Sequence, residues 1–145
     1  MYSPWVALRL LKKFDKLRIT LDYSHWVLCI ERPLTVESSP ELLQFIISRT
    51  DHIHARIGTN QTPQIDDPMN PRHQFWTEHF QSIWKFIYLT KFSAGKVLTI
   101  TPEYGPEPYQ PHESRISSEN IIIHEVDRLR SVLINNVTSN INKSL

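Results

Sequence analysis

The feature that most constrains this chain is the alternation of helical and strand patterns along its length. Three short runs have the spacing of β-strands, and segments with apolar residues at helical spacing lie before, between and after them. Because a helical pattern separates successive strands, we expect the strands to pair in parallel through right-handed crossovers. The predicted strands cover residues 18–22, 52–57 and 96–101. The sequence therefore predicts an α/β fold with a parallel sheet.

Four helices are predicted from capping residues and apolar periodicity. Two of them begin at Ser3 and Ser39, where each serine can cap a helix and the proline that follows it suits the first helical position. Gly95 is placed to end the third helix. The predicted helices cover residues 4–14, 40–50, 73–93 and 118–137. The segments between these elements that are predicted to be loops are 23–37, 59–72 and 102–117.

Composition limits the domain organisation, the location and the partners of the chain. Its 145 residues are 40% hydrophobic and 21% charged, which is typical of one globular domain, expected here over residues 1–137 with a polar tail at 138–145. The single cysteine, Cys29, excludes an internal disulfide framework. No run approaches the roughly 20 apolar residues of a membrane span and no secretory signal pattern is present, so a cytoplasmic protein without membrane contact is expected. With 16 basic and 15 acidic residues, no nucleic-acid partner is expected.

Carboxylate and imidazole side chains collect at the ends of the three predicted strands. Asp22 ends the first strand, His54 lies in the second, and Glu103 follows the third. Because the carboxyl ends of parallel strands meet at one edge of a sheet, we expect these groups to lie close together. Their oxygen and nitrogen atoms suit a divalent metal ion such as Mn²⁺, Mg²⁺, Co²⁺ or Zn²⁺. Taken singly, each residue also fits a structural role, as a helix N-cap, a solvated loop residue or a buried histidine with a satisfied hydrogen bond.

The second predicted strand has one polar face. Strict alternation places His52, His54 and Arg56 on one side, and the apolar residues between and after them on the other. Such a concentration of polar groups is unusual for a buried strand. From its charge, Arg56 is expected near a substrate hydroxyl or phosphate.

Three motifs at the strand ends carry a resemblance to a known family. The segments Asp-Tyr-Ser-His-Trp at 22–26, His-Ile-His-Ala-Arg at 52–56 and Thr-Pro-Glu-Tyr-Gly-Pro at 101–106 occur in the order and spacing found there. From about Trp5 to Tyr109, the chain resembles the C-terminal part of the sugar phosphate isomerases/epimerases with the xylose isomerase-like TIM-barrel fold. The resemblance implies that the domain is a partial (β/α)8 barrel of about three C-terminal βα units.

The resemblance also implies roles for individual residues. Asp22, His54 and Glu103 correspond to ligands of a divalent metal ion. His25 corresponds to a catalytic residue that contacts substrate oxygens, and Glu103 acts in proton transfer as well as in metal binding. Trp26 is expected to shape the substrate pocket beside His25, or to pack at the barrel mouth.

Two functions remain open on this basis. The first is a metal-dependent isomerase or epimerase of a small sugar or sugar phosphate, which acts through a metal-stabilised enediolate. The second is a catalytically incomplete barrel remnant, because a complete barrel typically has about 250 residues and the family's remaining carboxylate ligand lies on an earlier strand. A truncated barrel with open edges is expected to self-associate. Abasic-site endonucleases resemble the same superfamily, but the near-neutral charge disfavours them.

Overall fold

The computed structural model describes residues 3–110 and 114–141, which fold into a parallel β-sheet with helices between its strands. The strands are β1 (Ile19–Asp22), β2 (Thr50–Ala55) and β3 (Thr99–Pro102). The helices are α1 (Pro4–Lys13), α2 (Tyr23–Ile30), α3 (Pro40–Arg49), α4 (Gln74–Ser93) and α5 (Ser118–Ile141), with a 3-10 turn at Pro71–His73. The predicted α/β class with parallel strands is confirmed.

The sheet has the order β1-β2-β3, so the second strand is central. Asp22 in β1 pairs with His54 in β2, which in turn pairs with Thr101 in β3. One residue beyond β3, the Glu103 amide donates a hydrogen bond of 3.2 Å to the carbonyl oxygen of Ala55. This register brings the carboxyl ends of all three strands to the same edge.

The prediction of a loop over 23–37 was wrong for its first half, because α2 occupies Tyr23–Ile30. Asp22 is the N-cap of this helix, and its Oδ1 accepts a hydrogen bond of 3.0 Å from the Ser24 amide. The helix ends at Glu31, which has a left-handed backbone with φ of 56°. The strand therefore turns directly into a helix at the carboxylate that the sequence analysis placed at the strand tip.

The starts of β2 and β3 also differ from the prediction, by two and three residues. β2 begins at Thr50, two residues early, because α3 passes into the strand with no linker, and the Thr50 hydroxyl donates to the Ile46 carbonyl oxygen at 3.0 Å. β3 begins at Thr99 rather than at residue 96. Gly95, with φ of 62°, ends α4 as predicted, and the next amide, at Lys96, donates back to the Lys91 carbonyl oxygen at 2.9 Å. That hydrogen bond holds the chain at the helix end before it enters the sheet.

The hydrophobic core lies on one face of the sheet. The alternating residues Ile19 and Leu21 of β1 and Ile53 and Ala55 of β2 are buried there. The helices contribute the largest buried side chains of this layer, which include Leu11, Leu43, Ile46, Ile47, Phe80, Trp84 and Ile87. On the opposite face, the side chains are polar and at least partly exposed, namely Thr20, His52, His54, Thr99 and Thr101. A polar open face of this kind leaves the strand-end groups accessible.

The last helix extends beyond the predicted domain boundary. α5 runs to Ile141, so residues 138–141 of the predicted tail are helical, and residues 142–145 lie outside the described part of the chain. Among the described residues, no helix combines the length and the apolar character needed to cross a membrane.

Candidate metal centre

The structure brings together the three residues that the strand-end pattern singled out. Asp22 closes β1, His54 lies opposite it in β2, and Glu103 follows β3. One potential ligand atom from each lies within 4.8 Å of the other two. Within residues 3–110 and 114–141, no other group of three or more histidine, cysteine or acidic side chains has this arrangement.

His54 and Glu103 form the accessible side of the group. The His54 Nδ1 lies 2.5 Å from the Glu103 Oε2, and their side chains are 41% and 34% exposed. The His52 ring packs edge-on against the His54 ring, with 5.2 Å between the centroids, and its own Nδ1 lies 2.6 Å from the Thr99 hydroxyl. Burial lowers the pKa of His52, and nearby His54 lowers it further. On β2, His54 therefore faces the site, whereas His52 is hydrogen-bonded to the neighbouring strand β3.

Asp22 forms the buried side of the group, with a side chain only 10% exposed. Its Oδ1 accepts from both the amide and the hydroxyl of Ser24, at 3.0 and 2.6 Å. Its Oδ2 accepts a hydrogen bond from the Arg56 guanidinium. Asp22 is thus the N-cap of α2 and also lies within the candidate centre.

Arg56 lies between the two carboxylates and is only 5% exposed. It bonds to Asp22, and its Nη1 lies 3.3 Å from the Glu103 Oε1. Its Nε donates to the Ser24 hydroxyl at 3.2 Å. Sequence analysis placed Arg56 on the polar face, but not in contact with both acids. The pair Asp22 and Ser24 is a local sequence signal for the cap of α2, but no local pattern signals the contact of Arg56 with both acids.

His25 enters the site from the first turn of α2. Its Nε2 lies 2.9 Å from the Arg56 Nη2 and 3.3 Å from the Asp22 Oδ2. Burial lowers the pKa of His25, Asp22 opposes that shift, and Arg56 reinforces it. The lowered pKa favours the neutral imidazole, in which Nε2 can accept a hydrogen bond from the guanidinium. His25 is therefore held beside the metal-ligand candidates by the turn that Asp22 caps.

Trp26 is 2% exposed and belongs to the hydrophobic core. It also lines a groove of about 250 Å³ that runs along β1 past Asp22 and His25. This volume is close to the lower end, roughly 300 Å³, of the range typical of ligand pockets. Packing is thus shown for Trp26, whereas its part in a substrate pocket stays a prediction.

The formal charges of the cluster leave it negative. The two carboxylates carry −2 and the Arg56 guanidinium carries +1, so the formal charges of these three groups sum to −1. A partly buried group with a negative sum attracts a further cation more strongly than the same charges in bulk water. The electrostatics of the site therefore favour a metal ion over an anionic ligand at this position.

The donor set fits a divalent ion in chemistry and nearly in spacing. Ligand distances of about 2.0–2.2 Å place two donors of one ion about 3–4.4 Å apart. The observed limit of 4.8 Å is slightly wider, and the contact between His54 and Glu103 is shorter. To bind one ion at these ligand distances, the half-buried His54 and Glu103 side chains would have to rotate. The donors fit, provided that the Arg56 guanidinium gives up part of its contact with the carboxylates.

Comparison of the chain with protein-family models, with curated proteins and with solved structures finds no match. The family resemblance thus rests on the three strand-end motifs, and the function must be argued from the geometry of the site.

Proposed function

We propose that this chain is a metal-dependent isomerase or epimerase of a small sugar or sugar phosphate in the cytoplasm. The observation that carries the proposal is the meeting of Asp22, His54 and Glu103 from three successive strands, with ligand atoms within 4.8 Å of one another. Their place at the carboxyl ends of parallel strands is where (β/α)8 barrels carry their active sites. The proposal includes the expectation that the three-stranded sheet is part of such a barrel.

The proposed metal ligands are the two carboxylates and the imidazole of this group. A bound Mn²⁺, Mg²⁺, Co²⁺ or Zn²⁺ ion would stabilise the negative charge that develops on substrate oxygens when a neighbouring proton is removed. The imidazole among the ligands favours the transition metals over Mg²⁺. The remaining chemistry belongs to the side chains around the ligands.

The carboxylates of Glu103 and Asp22 differ in accessibility, and this difference supports different proposed roles for them. The Glu103 side chain is 34% exposed, whereas Asp22 is 10% exposed and is held by Ser24. A general base must reach the proton that it removes, within hydrogen-bond distance of a bound substrate. Glu103 is therefore the proposed acid/base in addition to being a ligand, and Asp22 is a ligand only.

His25 and Arg56 are the proposed substrate-binding residues. The neutral His25 imidazole lines the groove along β1 and can exchange hydrogen bonds with substrate hydroxyls. The Arg56 guanidinium offers directed N–H donors to an oxygen anion or a phosphate. Because both side chains already contact Asp22, a substrate in this groove would lie directly beside the metal ligands.

The alternative is a catalytically incomplete barrel remnant that binds a partner or has no activity alone, with a second copy of this chain as the proposed partner. The observation that favours it is the open apolar surface beside β3, one of the two edge strands of the described sheet. Val97 is 81% exposed there, and a groove of about 310 Å³ is lined by Leu98 just before β3, by Ile100 of β3, and by Leu129 and Leu133 of α5. Uncovered strand edges and apolar patches favour association. Sedimentation velocity at several protein concentrations would detect it.

Metal analysis and isothermal titration with Mn²⁺ test the proposed function. We compare the wild type with His54→Ala, which removes a ligand, and with the matched control His124→Ala, which removes an exposed imidazole from α5. We expect the wild type and the control to bind with similar affinity, and His54→Ala to bind at least about tenfold more weakly. Aldose–ketose and epimer interconversion would then be screened. Equal binding by all three proteins would contradict the proposed metal centre.

A further inference from the structure

A positively charged side chain, that of Arg56, contacts two carboxylates of the candidate metal centre. Arg56 is 5% exposed, and its guanidinium contacts a carboxylate oxygen of Asp22 and one of Glu103. Both acids are among the three groups proposed to bind a metal ion. A guanidinium and a divalent ion repel each other, and here both would draw on the same two carboxylates.

We propose that Arg56 and a divalent metal ion compete for these carboxylates, so that Arg56 is the counter-cation of the metal-free protein. This inference rests on the proposed function, since it takes the Asp22, His54 and Glu103 group as the metal site. Metal binding then separates the guanidinium from Glu103, and loss of the guanidinium strengthens metal binding.

The two contacts of Arg56 are unequal, which indicates where the exchange occurs. The contact with Glu103 is 3.3 Å long and involves a side chain that is 34% exposed. The contact with Asp22 is shorter and lies in the buried part of the site. A long, partly hydrated ion pair is weaker than a short, desolvated one. The Glu103 contact is therefore the one that a metal ion opens.

Arg56 has other acceptors that remain in place after the exchange. Its Nε donates to the Ser24 hydroxyl at 3.2 Å, and its Nη2 lies 2.9 Å from the His25 Nε2. Neither Ser24 nor His25 belongs to the proposed ligand set. A buried charge that keeps its hydrogen bonds is far less costly than one left without partners. The guanidinium can thus release Glu103 without leaving its position in the fold.

Isothermal titration with Mn²⁺ on Arg56→Gln and Arg56→Lys tests the competition. Arg56→Gln removes the charge and is expected to lower the Kd by about tenfold or more, which corresponds to about 1.4 kcal/mol. Arg56→Lys keeps the charge and is expected to stay near the wild-type Kd. The matched control is Arg18→Gln, which removes a guanidinium at the opposite end of the same sheet, and its Kd should equal that of the wild type.

The outcomes separate the two proposals. If the wild type binds Mn²⁺ and Arg56→Gln binds with equal or lower affinity, the competition is overturned and the metal site stands. If neither protein binds, the metal site fails and the competition fails with it. Binding by Arg56→Gln alone supports both.

A second measurement uses the wild-type protein and therefore does not depend on the folding of a variant. The Arg56 Nε–H signal in the ¹⁵N spectrum can be assigned in the wild-type protein itself, by through-bond correlation along the Arg56 side chain. On titration with diamagnetic Mg²⁺ we expect this signal to shift, and the Arg18 signal to remain fixed. An Arg56 signal that stays unchanged while Mg²⁺ shifts the backbone amides of His54 and Glu103 would overturn the competition.

Discussion

The two ends of the β-sheet carry opposite charge arrangements. At the amino-terminal end one carboxylate meets two cations: Asp51 accepts hydrogen bonds from Arg18 at 2.6 and 2.7 Å and from Lys91 at 3.1 Å. At the carboxyl-terminal end two carboxylates meet one cation, with Arg56 between Asp22 and Glu103. The formal sums are therefore +1 at one end and −1 at the other.

This difference separates an end that holds the fold together from an end that can bind a ligand. The buried Lys91 also donates to the Ser48 carbonyl oxygen, as Arg18 does, so the cations at the amino-terminal end link α3, β2 and α4. At the other end, Arg56 joins Asp22 and Glu103 but leaves one negative charge in excess, and the Glu103 side chain is accessible. Parallel α/β folds generally place stability at the first end and chemistry at the second.

The largest expected effect is that of Glu103→Gln on turnover. The amide keeps the shape of the side chain but cannot act as a general base, so the rate of the proposed reaction should fall about 10³-fold, within the usual range for acid–base catalysis. The matched variant at the other end, Asp51→Asn, should retain the wild-type rate constant. Steady-state kinetics at saturating Mn²⁺ measures both. Comparable losses in the two variants would remove the functional distinction between the sheet ends.

The next effect is that of Asp22→Ala on stability without added metal. The substitution removes the cap of α2 and leaves the buried Arg56 with one acidic partner fewer. Loss of a cap and of a buried ion-pair partner together should reduce the free energy of unfolding by about 3 kcal/mol. Asp22→Asn keeps an oxygen for the cap and should lose about half as much. Urea unfolding followed by circular dichroism distinguishes these variants, and equal losses would show that capping contributes little.

A smaller effect is expected for Asp51→Asn on stability. The Asp51 side chain is 47% exposed, yet the substitution takes the carboxylate away from the buried Lys91 ammonium and leaves the Ser48 carbonyl oxygen as an acceptor. We expect a loss of about 1–2 kcal/mol, between the values for exposed and buried pairs. The Kd for Mn²⁺ should not change. A loss of metal affinity together with stability would show that the two ends are energetically coupled.

The smallest effect is a difference in acid sensitivity. Hydrogen bonding to Arg18, reinforced by Lys91, holds the pKa of Asp51 well below its usual range. Because the folded-state pKa is depressed, this stabilisation is complete above the unfolded-state pKa of about 3.9 and is lost as the pH falls below it. Asp51→Asn should therefore flatten the pH dependence of unfolding below about pH 4 and leave it unchanged near neutrality. Thermal unfolding of the wild type and of Asp51→Asn is followed between about pH 2 and 7 in the same acetate and phosphate buffers. The effect is measured as the difference between their transition midpoints at each pH.

Much of the fold followed from local patterns. Serine before proline marks the starts of α1 and α3, Gly95 marks the end of α4, and short alternating runs mark the three strands. The helix α2 was not predicted, because Asp22 was interpreted as the end of a strand and not as the N-cap of a helix that begins at the next residue. The hydrogen bond from Ser24 that makes it a cap spans only two residues, so the signal was local and could have been read.

The sequence by itself determined the order of the elements and the residue types that reach the strand ends, because periodicity and capping act over a few neighbouring residues. Only the tertiary structure decided the balance of charges at the site, because it places Arg56 between the two carboxylates. Arg56 contacts acids that are 34 and 47 positions away along the chain. Those contacts depend on the register of β1 and β3 against β2 and on the path of one buried side chain, and no one-dimensional pattern specifies either.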